Sequence, residues 1–302
     1  MAKTILIPIA VIAILPLIFL SGIFDSPEPK SPNSIDYISF GIIPLEDDVI
    51  ASKNFQNTLS LLEQDTGLNV QPFVTSSYEG IVDGMNNDFV DVALLGGHSF
   101  VLGISRGDSI EVFATGVRSD TQSSTYQSII ISNKDSNLQS IQDIAERKSD
   151  VTFAFVDRAS TSGYLMPMEA FTELSIDPFD EFDDAIFFGR HDKIVNSVQS
   201  GEVLAGATST ITYDRMVNEG LIDPQKITVI WKSEEIQGLP FVMRSDLSED
   251  LKEKIRNSFY NMHKHDLSDG YLGGWGNVIS YAPVSEDDYQ YAFRASKAIG
   301  DI

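Results

Sequence analysis

Short apolar runs alternate with amphipathic, helix-like stretches along most of this chain, and that alternation is its strongest constraint. IDYISFGIIP reads as a strand running into a turn at Gly41–Pro44. Residues 49–66 read as a helix with Ile50, Phe55, Leu59 and Leu62 at helical spacing, stopped by Gly67. NVQPFV, a helix over Tyr78–Asn86 and VDVALLGG continue the series. A second set follows: the strand TYQSIIIS, the helix NLQSIQDIAE with Ser140 and Asp143 as early polar residues, VTFAFVD, the helix SGYLMPMEAFTEL, AIFFG, the helix DKIVNSVQSG and VLAGAT. ITVIWKSEEIQGLPFVM then runs back towards the first set, and SEDLKEKIRNSFYNM is a late amphipathic helix with Leu251, Ile255, Phe259 and Met262 on one side. Repetition of this kind demands an α/β fold, because parallel strands need crossover helices to cover them. Two such units joined more than once leave a cleft, and ligands of open α/β sheets sit outside the carboxyl ends of the strands.

The chain's 302 residues suffice for two medium-sized units, and 42% hydrophobic residues supply their cores. A formal charge of −23 excludes a nucleic-acid partner, which needs a positive surface. It leaves an anionic ligand open, since a local cluster of donors can oppose the overall field. With no cysteine, disulfides, thiolate metal sites and thiol catalysis are ruled out. Neither a zinc-like nor an EF-hand spacing occurs, so no metal or cofactor is expected. The acidic clusters at 46–48, 180–184 and 285–288 read as solvated faces. At the start of the chain, the uncharged stretch Thr4–Phe24 is long enough to span a bilayer. It reads as a membrane anchor (residues 1–24) in preference to a cleaved secretory signal, and Ile23 stands where a lipoprotein signal would need cysteine. Residues 25–34, rich in proline, read as a linker. The folded part is thus expected outside the cytoplasm.

The polar residues of interest sit where strands hand over to helices. Ser160, Thr161, Ser162 and Gly163 follow VTFAFVD at a helix start, where backbone N–H groups lack partners and the helix dipole is positive. An ordinary cap needs one hydroxyl. Three in succession, with a glycine to let the backbone come close, suit an oxyanion cradle. No GK[ST] ending marks a nucleotide loop. His191, after AIFFGR, can donate to the same anion and carry a charge set by it. His98, after VALLGG, is a weaker candidate of the same kind, while His263 and His265 read as solvated. Tyr78 and Tyr126 offer phenol donors and flat walls. Ser162 with His191 does not make a nucleophile elbow, since no G-x-S-x-G occurs, so a hydrolase reading lacks both a metal set and an activated nucleophile.

Taken together these residues form a familiar series. DRASTSGYLMP resembles the D-x-x-S-T-S-G-[FY]-L-x-P signature of phosphonate-binding proteins of ABC importers. SSYEGIVDGM resembles that family's D-Y-x-G-[IV]-[IV]-x-G-M segment, and FGIIPLED, TYQSIII and VIWKSEEIQGLPFVMR match in order, over about residues 36–262. The resemblance implies a type II periplasmic-binding-protein fold: two α/β lobes with mixed sheets, a two-stranded hinge near 124–131 and 229–241, and closure on ligand. It implies residues 35–125 with 240–302 as lobe 1, 126–239 as lobe 2, and a permease as partner. Ser160, Thr161 and Ser162 match the ligands of the phosphonate oxygens, Tyr78 and Tyr126 the tyrosines that close the pocket, and His191 a histidine reaching the same group. Leu95, Gly96, His98, Gly163, Ile211 and Leu239 are expected in or near the wall. Ile211 and Leu239 stand where aminoalkylphosphonate-binding members carry carboxylates, so methylphosphonate, phosphite or phosphate is expected in preference to aminoethylphosphonate. A membrane-anchored sensor is the alternative reading.

Overall fold

The computed structural model describes residues 36–46, 52–267 and 270–302. The expected anchor, Thr4–Phe24, and the linker lie outside these residues. Among the described residues no helix is long and apolar enough to cross a membrane.

The chain opens as the alternation predicts: β1 (Tyr37–Ile42), α1 (Lys53–Thr66), β2 (Asn69–Phe73), α2 (Tyr78–Asn86) and β3 (Val92–Leu94). Ser52 and Ser77 cap the two helices by accepting from the N–H groups of Phe55 and Gly80, and Gly67 ends α1 in the left-handed conformation. Two elements that the periodicity passes over come next, α3 (Gly97–Arg106) and β4 (Ile110–Arg118). The expected strand TYQSIIIS is broken at Gln127 into β5 (Thr125–Tyr126) and β6 (Ser128–Asn133).

A second series is α4 (Ile141–Glu146), β7 (Thr152–Phe155), α5 (Met166–Glu173), α6 (Pro178–Glu181), β8 (Asp184–Phe187), α7 (His191–Ser200), β9 (Ala205–Ser209), α8 (Thr210–Asn218) and β10 (Ile227–Lys232). Ser140 and Asp143 form a capping box at α4, satisfying two terminal donors reciprocally. The chain returns through β11 (Ile236–Gln237) to β12 (Pro240–Arg244), α9 (Glu249–Asn261), β13 (Val278–Pro283) and α10 (Gln290–Ile299).

Two mixed sheets result. The first runs β13-β4-β12-β3-β1-β2, with β1 parallel to β2 and β3, and the returning β12 antiparallel to β3 and β4. The second runs β10-β6-β9-β7-β8. β5 and β11 pair only with each other, antiparallel, as Ile236 with Tyr126 and Gln237 with Thr125. This ribbon is shorter than the hinge expected from sequence, because Ser128–Asn133 and Ile227–Lys232 belong to the second sheet. Around the first sheet, Phe241 packs against Phe40, Phe259 and Tyr281. A separate aromatic core of Phe153, Phe155, Phe171 and Phe182 fills the second unit, with edge-to-face pairs at 5.3 Å. Helix α10 packs on both α3 and α5 and so bridges the two units.

Candidate ligand site

Between the two sheets lies a small cavity whose walls come from strand ends. Ile43 and Leu45 follow β1, Gly96 follows β3, Ser160–Ser162 follow β7 and His191 follows β8. Tyr78 opens α2, Tyr126 belongs to the ribbon, Leu239 precedes β12 and Trp275 precedes β13. About 170 Å3 of space, part of it open to solvent, lies among these residues. A larger depression of about 910 Å3, over Asn133–Ser136, Gln199–Gly201 and Gln225–Lys226, is bounded mostly by exposed side chains and gathers no set of buried donors.

The turn at Ser160 departs from the expected regular helix start. Thr161–Leu165 form a π-turn, with the Leu165 N–H donating to the Ser160 carbonyl, before α5 continues. A π-turn advances less rotation per residue than an α-turn, so consecutive side chains spread over a narrower arc, a feature recurrent at functional sites. Each hydroxyl has a different engagement. Ser160 Oγ accepts from the Gly163 N–H at 3.1 Å, as a cap. Thr161 Oγ1 accepts from the His98 N–H at 2.9 Å, across the cleft. Both keep their own O–H to donate. Ser162 Oγ is buried and finds no hydrogen-bond partner among the described residues, and neither does Tyr78 Oη. The first-turn N–H groups of a helical segment lack partners within the segment, which adds Thr161 and Ser162 amides to the set.

Burial pushes the Tyr78 phenol well above its ordinary range; the Asp157 carboxylate adds to this, and Ser160 opposes it without being aligned for a hydrogen bond. Tyr126 is pushed up to about 12 by burial, against the Ser162 and Thr161 hydroxyls. Both phenols therefore remain protonated donors at neutral pH. His191 is held down to about 3 by burial, so its ring is neutral in the empty protein. It is a neutral imidazole whose Nδ1 lies 3.1 Å from Thr208 Oγ1, leaving Nε2 for a ligand. Its ring packs 4.6 Å from Trp275, and Tyr126 lies 5.4 Å from the same indole.

The cavity gathers Tyr78, Tyr126, Ser160, Thr161, Ser162, His191, Gly96 and Leu239, as the sequence suggests. Four expected wall residues fall elsewhere. Leu95 is fully buried in the first core, its N–H donating to the Pro240 carbonyl. His98 turns its ring towards Ser296 and Asp301 and stacks on Tyr164; only its backbone reaches Thr161. A side chain on Gly163 would point at Val156, 2.3 Å from its Cγ2, so that glycine serves helix–strand packing and not ligand approach. Ile211 lines an adjoining apolar chamber, which shares Leu239 and Trp275 with the cavity. Sequence reasoning missed Ile43, Leu45 and Trp275. Only Trp275 left a trace: a large aromatic between the glycines of GGWG, in a loop. The acidic cluster reading also fails at Glu46, whose carboxylate is mostly buried and bonded to Thr212 and Arg215.

Two mixed α/β sheets with a cup of neutral donors at the strand ends define a two-lobed periplasmic-binding-protein fold. The model of the family "ABC transporter, phosphonate, periplasmic substrate-binding protein" matches residues 40–289, so the chain belongs to that family of extracytoplasmic, phosphonate-binding components of ABC importers. It is similar to the phosphonates-binding periplasmic protein of Escherichia coli K12, 32% identical over 75% of this chain and 66% of that one, just under two thirds of its length. It is 26% identical to the phosphate-import protein PhnD of Mycolicibacterium smegmatis, over 89% of this chain and 88% of that one. Its fold matches that of PhnD1 from Prochlorococcus marinus, solved in complex with methylphosphonate, with a TM-score of 0.75 at 20% identity, over 88% of this chain and 99% of that one.

Proposed function

We propose that this protein captures a small tetrahedral phosphorus oxyanion between its lobes and delivers it to an ABC permease, without chemistry on the ligand. The observation that carries this reading is a pair of buried hydroxyls, Ser162 Oγ and Tyr78 Oη, that find no partner among the described residues and come from different units of one cavity. A buried polar atom left unpaired costs about 1–3 kcal/mol, a cost that a ligand oxygen removes. Ser160, Thr161, Tyr126 and the neutral His191 complete the donor set. The lobes are residues 35–125 with 240–302, and 126–239, and the β5–β11 ribbon is the hinge between them. The stretch Thr4–Phe24 tethers the protein to the membrane.

No carboxylate is among the described residues that line the cavity. An ammonium group brought in with the ligand would be desolvated beside Leu239 and Trp275 without a counter-charge, which is costly. Methylphosphonate, phosphite and phosphate therefore fit better than aminoethylphosphonate. The E. coli relative is named for phosphonates, the Mycolicibacterium relative for phosphate, and the Prochlorococcus structure holds methylphosphonate. Calorimetric titration of the purified protein with these four anions tests the reading. Saturable one-to-one binding of methylphosphonate or phosphate supports it, and no binding of any of the four overturns it.

A further inference from the structure

On one flank of the cavity, away from the donor set, a polar cluster ties the two sheets' units together. Glu46 lies on the same segment as the lining residues Ile43 and Leu45. Its Oε1 accepts from the Thr212 hydroxyl at 2.7 Å and its Oε2 pairs with the Arg215 guanidinium at 2.9 Å. Thr212 and Arg215 are three residues apart on α8, hence on one face of that helix, which packs on β9 of the second sheet. The indole N–H of Trp275, from the loop before β13, lies 3.2 Å from Thr212 Oγ1 and 3.5 Å from Glu46 Oε1. The same indole is the wall against which His191 and Tyr126 rest. Only 16% of the Glu46 side chain and 30% of the Arg215 side chain are exposed, so water screens the pair weakly.

We infer that Glu46, Thr212 and Arg215 form an interlobe clasp that holds the cavity shut and positions Trp275 as its wall. These are positioning residues: none of the three lines the cavity. The Glu46–Thr212, Glu46–Arg215 and Trp275–Thr212 bonds all join the first unit to α8, so opening breaks them together, and the clasp biases the open–closed equilibrium without touching ligand. The inference rests on the proposed lobe closure, but its test does not depend on the ligand.

The chain has two tryptophans, Trp231 and Trp275. In a Trp231→Phe background the full-length protein reports on Trp275 alone, and acrylamide quenching without ligand measures its access to solvent. Glu46→Gln and Arg215→Met should each raise the quenching constant about twofold, and the double variant should add little to either, because both remove the same bond. Methylphosphonate should restore protection, with Kd weakened about tenfold in each single variant, as expected when the competent state is less populated. Arg215→Lys keeps the charge and loses the guanidinium's second arm, which pairs with Glu219 on α8 at 2.7 Å; it should give a smaller rise and replaces Arg215→Met if that variant does not fold. Quenching equal to the parent in the Glu46 and Arg215 variants, or fully additive effects, overturns the clasp. If the parent protein binds neither methylphosphonate nor phosphate, the capture reading fails, while the ligand-free quenching still decides the clasp.

Discussion

The two faces of the cavity are built from different chemistry. The second unit presents consecutive hydroxyls on a π-turn and a neutral imidazole, all capable of donating. The first unit presents Ile43, Leu45, Leu239 and Trp275, with Tyr78 as its one phenol. On the proposed capture reading, the first face meets the ligand's oxygens, and the second excludes water and measures what else the ligand carries. The difference explains how a chain of formal charge −23 can hold an anion. The donors act within a few ångströms in a buried site, whereas the surface charge is screened over about 8 Å at physiological salt.

The largest expected effect asks whether burial acts equally on both sides. His191, on the donor face, is held down to about 3, and His98, behind the other, to about 4, each chiefly by burial. In the unfolded chain both return to an ordinary value near 6.5. Their neutral forms therefore contribute stability that is complete above that value and is lost as pH falls towards the folded values. At pH 5 the loss is about 2 kcal/mol for each histidine, or roughly 10 °C in Tm for the pair. The half-buried Asp157, whose carboxyl burial raises, works in the opposite sense. Melting curves from pH 7 to 5 check this; His191→Gln and His98→Gln should each remove about half of the acid sensitivity, and an unequal split would show that one face is more open than it looks.

Thr161 joins the faces, since it accepts from the His98 N–H while its own proton remains for a ligand. Thr161→Val should cost about 1–3 kcal/mol in stability, because the buried N–H is left unpaired, and weaken methylphosphonate binding about 30-fold. Its neighbour Ser162 makes no side-chain hydrogen bond of good geometry to the described residues that the change could remove. Ser162→Ala should weaken binding to a similar degree while leaving the Tm of the empty protein unchanged or higher, and Tyr78→Phe should do the same from the opposite face. A fall in Tm in both would mean that these hydroxyls hold the empty fold together. The smallest effect concerns the apolar face: methylphosphonate should bind about tenfold more tightly than aminoethylphosphonate, since the ammonium meets no carboxylate there. Leu239→Glu should narrow or reverse that ratio in a competition titration.

Much of the fold is legible in the residues. The helix over Tyr78–Asn86 is found where the sequence places it, and Ser140 and Asp143, expected only as early polar residues of a helix, cap α4, because serine caps and helical periodicity are local properties. α3 is passed over because its start, GGHSF, looks like the end of a strand, and β4 because a long partly buried strand shows no clean alternation. Among site residues, hydroxyls at a strand–helix junction announce themselves. His98 and His191 occupy equivalent places in the sequence pattern, yet one ring faces the cavity and the other the C-terminal helix. Nothing local distinguishes them, since the outcome depends on which way each helix packs.

By itself the sequence determined the α/β class, the chain's membership by motif, and the group of hydroxyls at one helix start, because each rests on neighbours within a few positions. Tertiary structure alone decided that Gly163 packs on Val156, that His191 is neutral, that Trp275 is a wall, and that Glu46 binds α8 instead of water. These depend on partners far away in the chain, and on burial, which residue order does not encode locally.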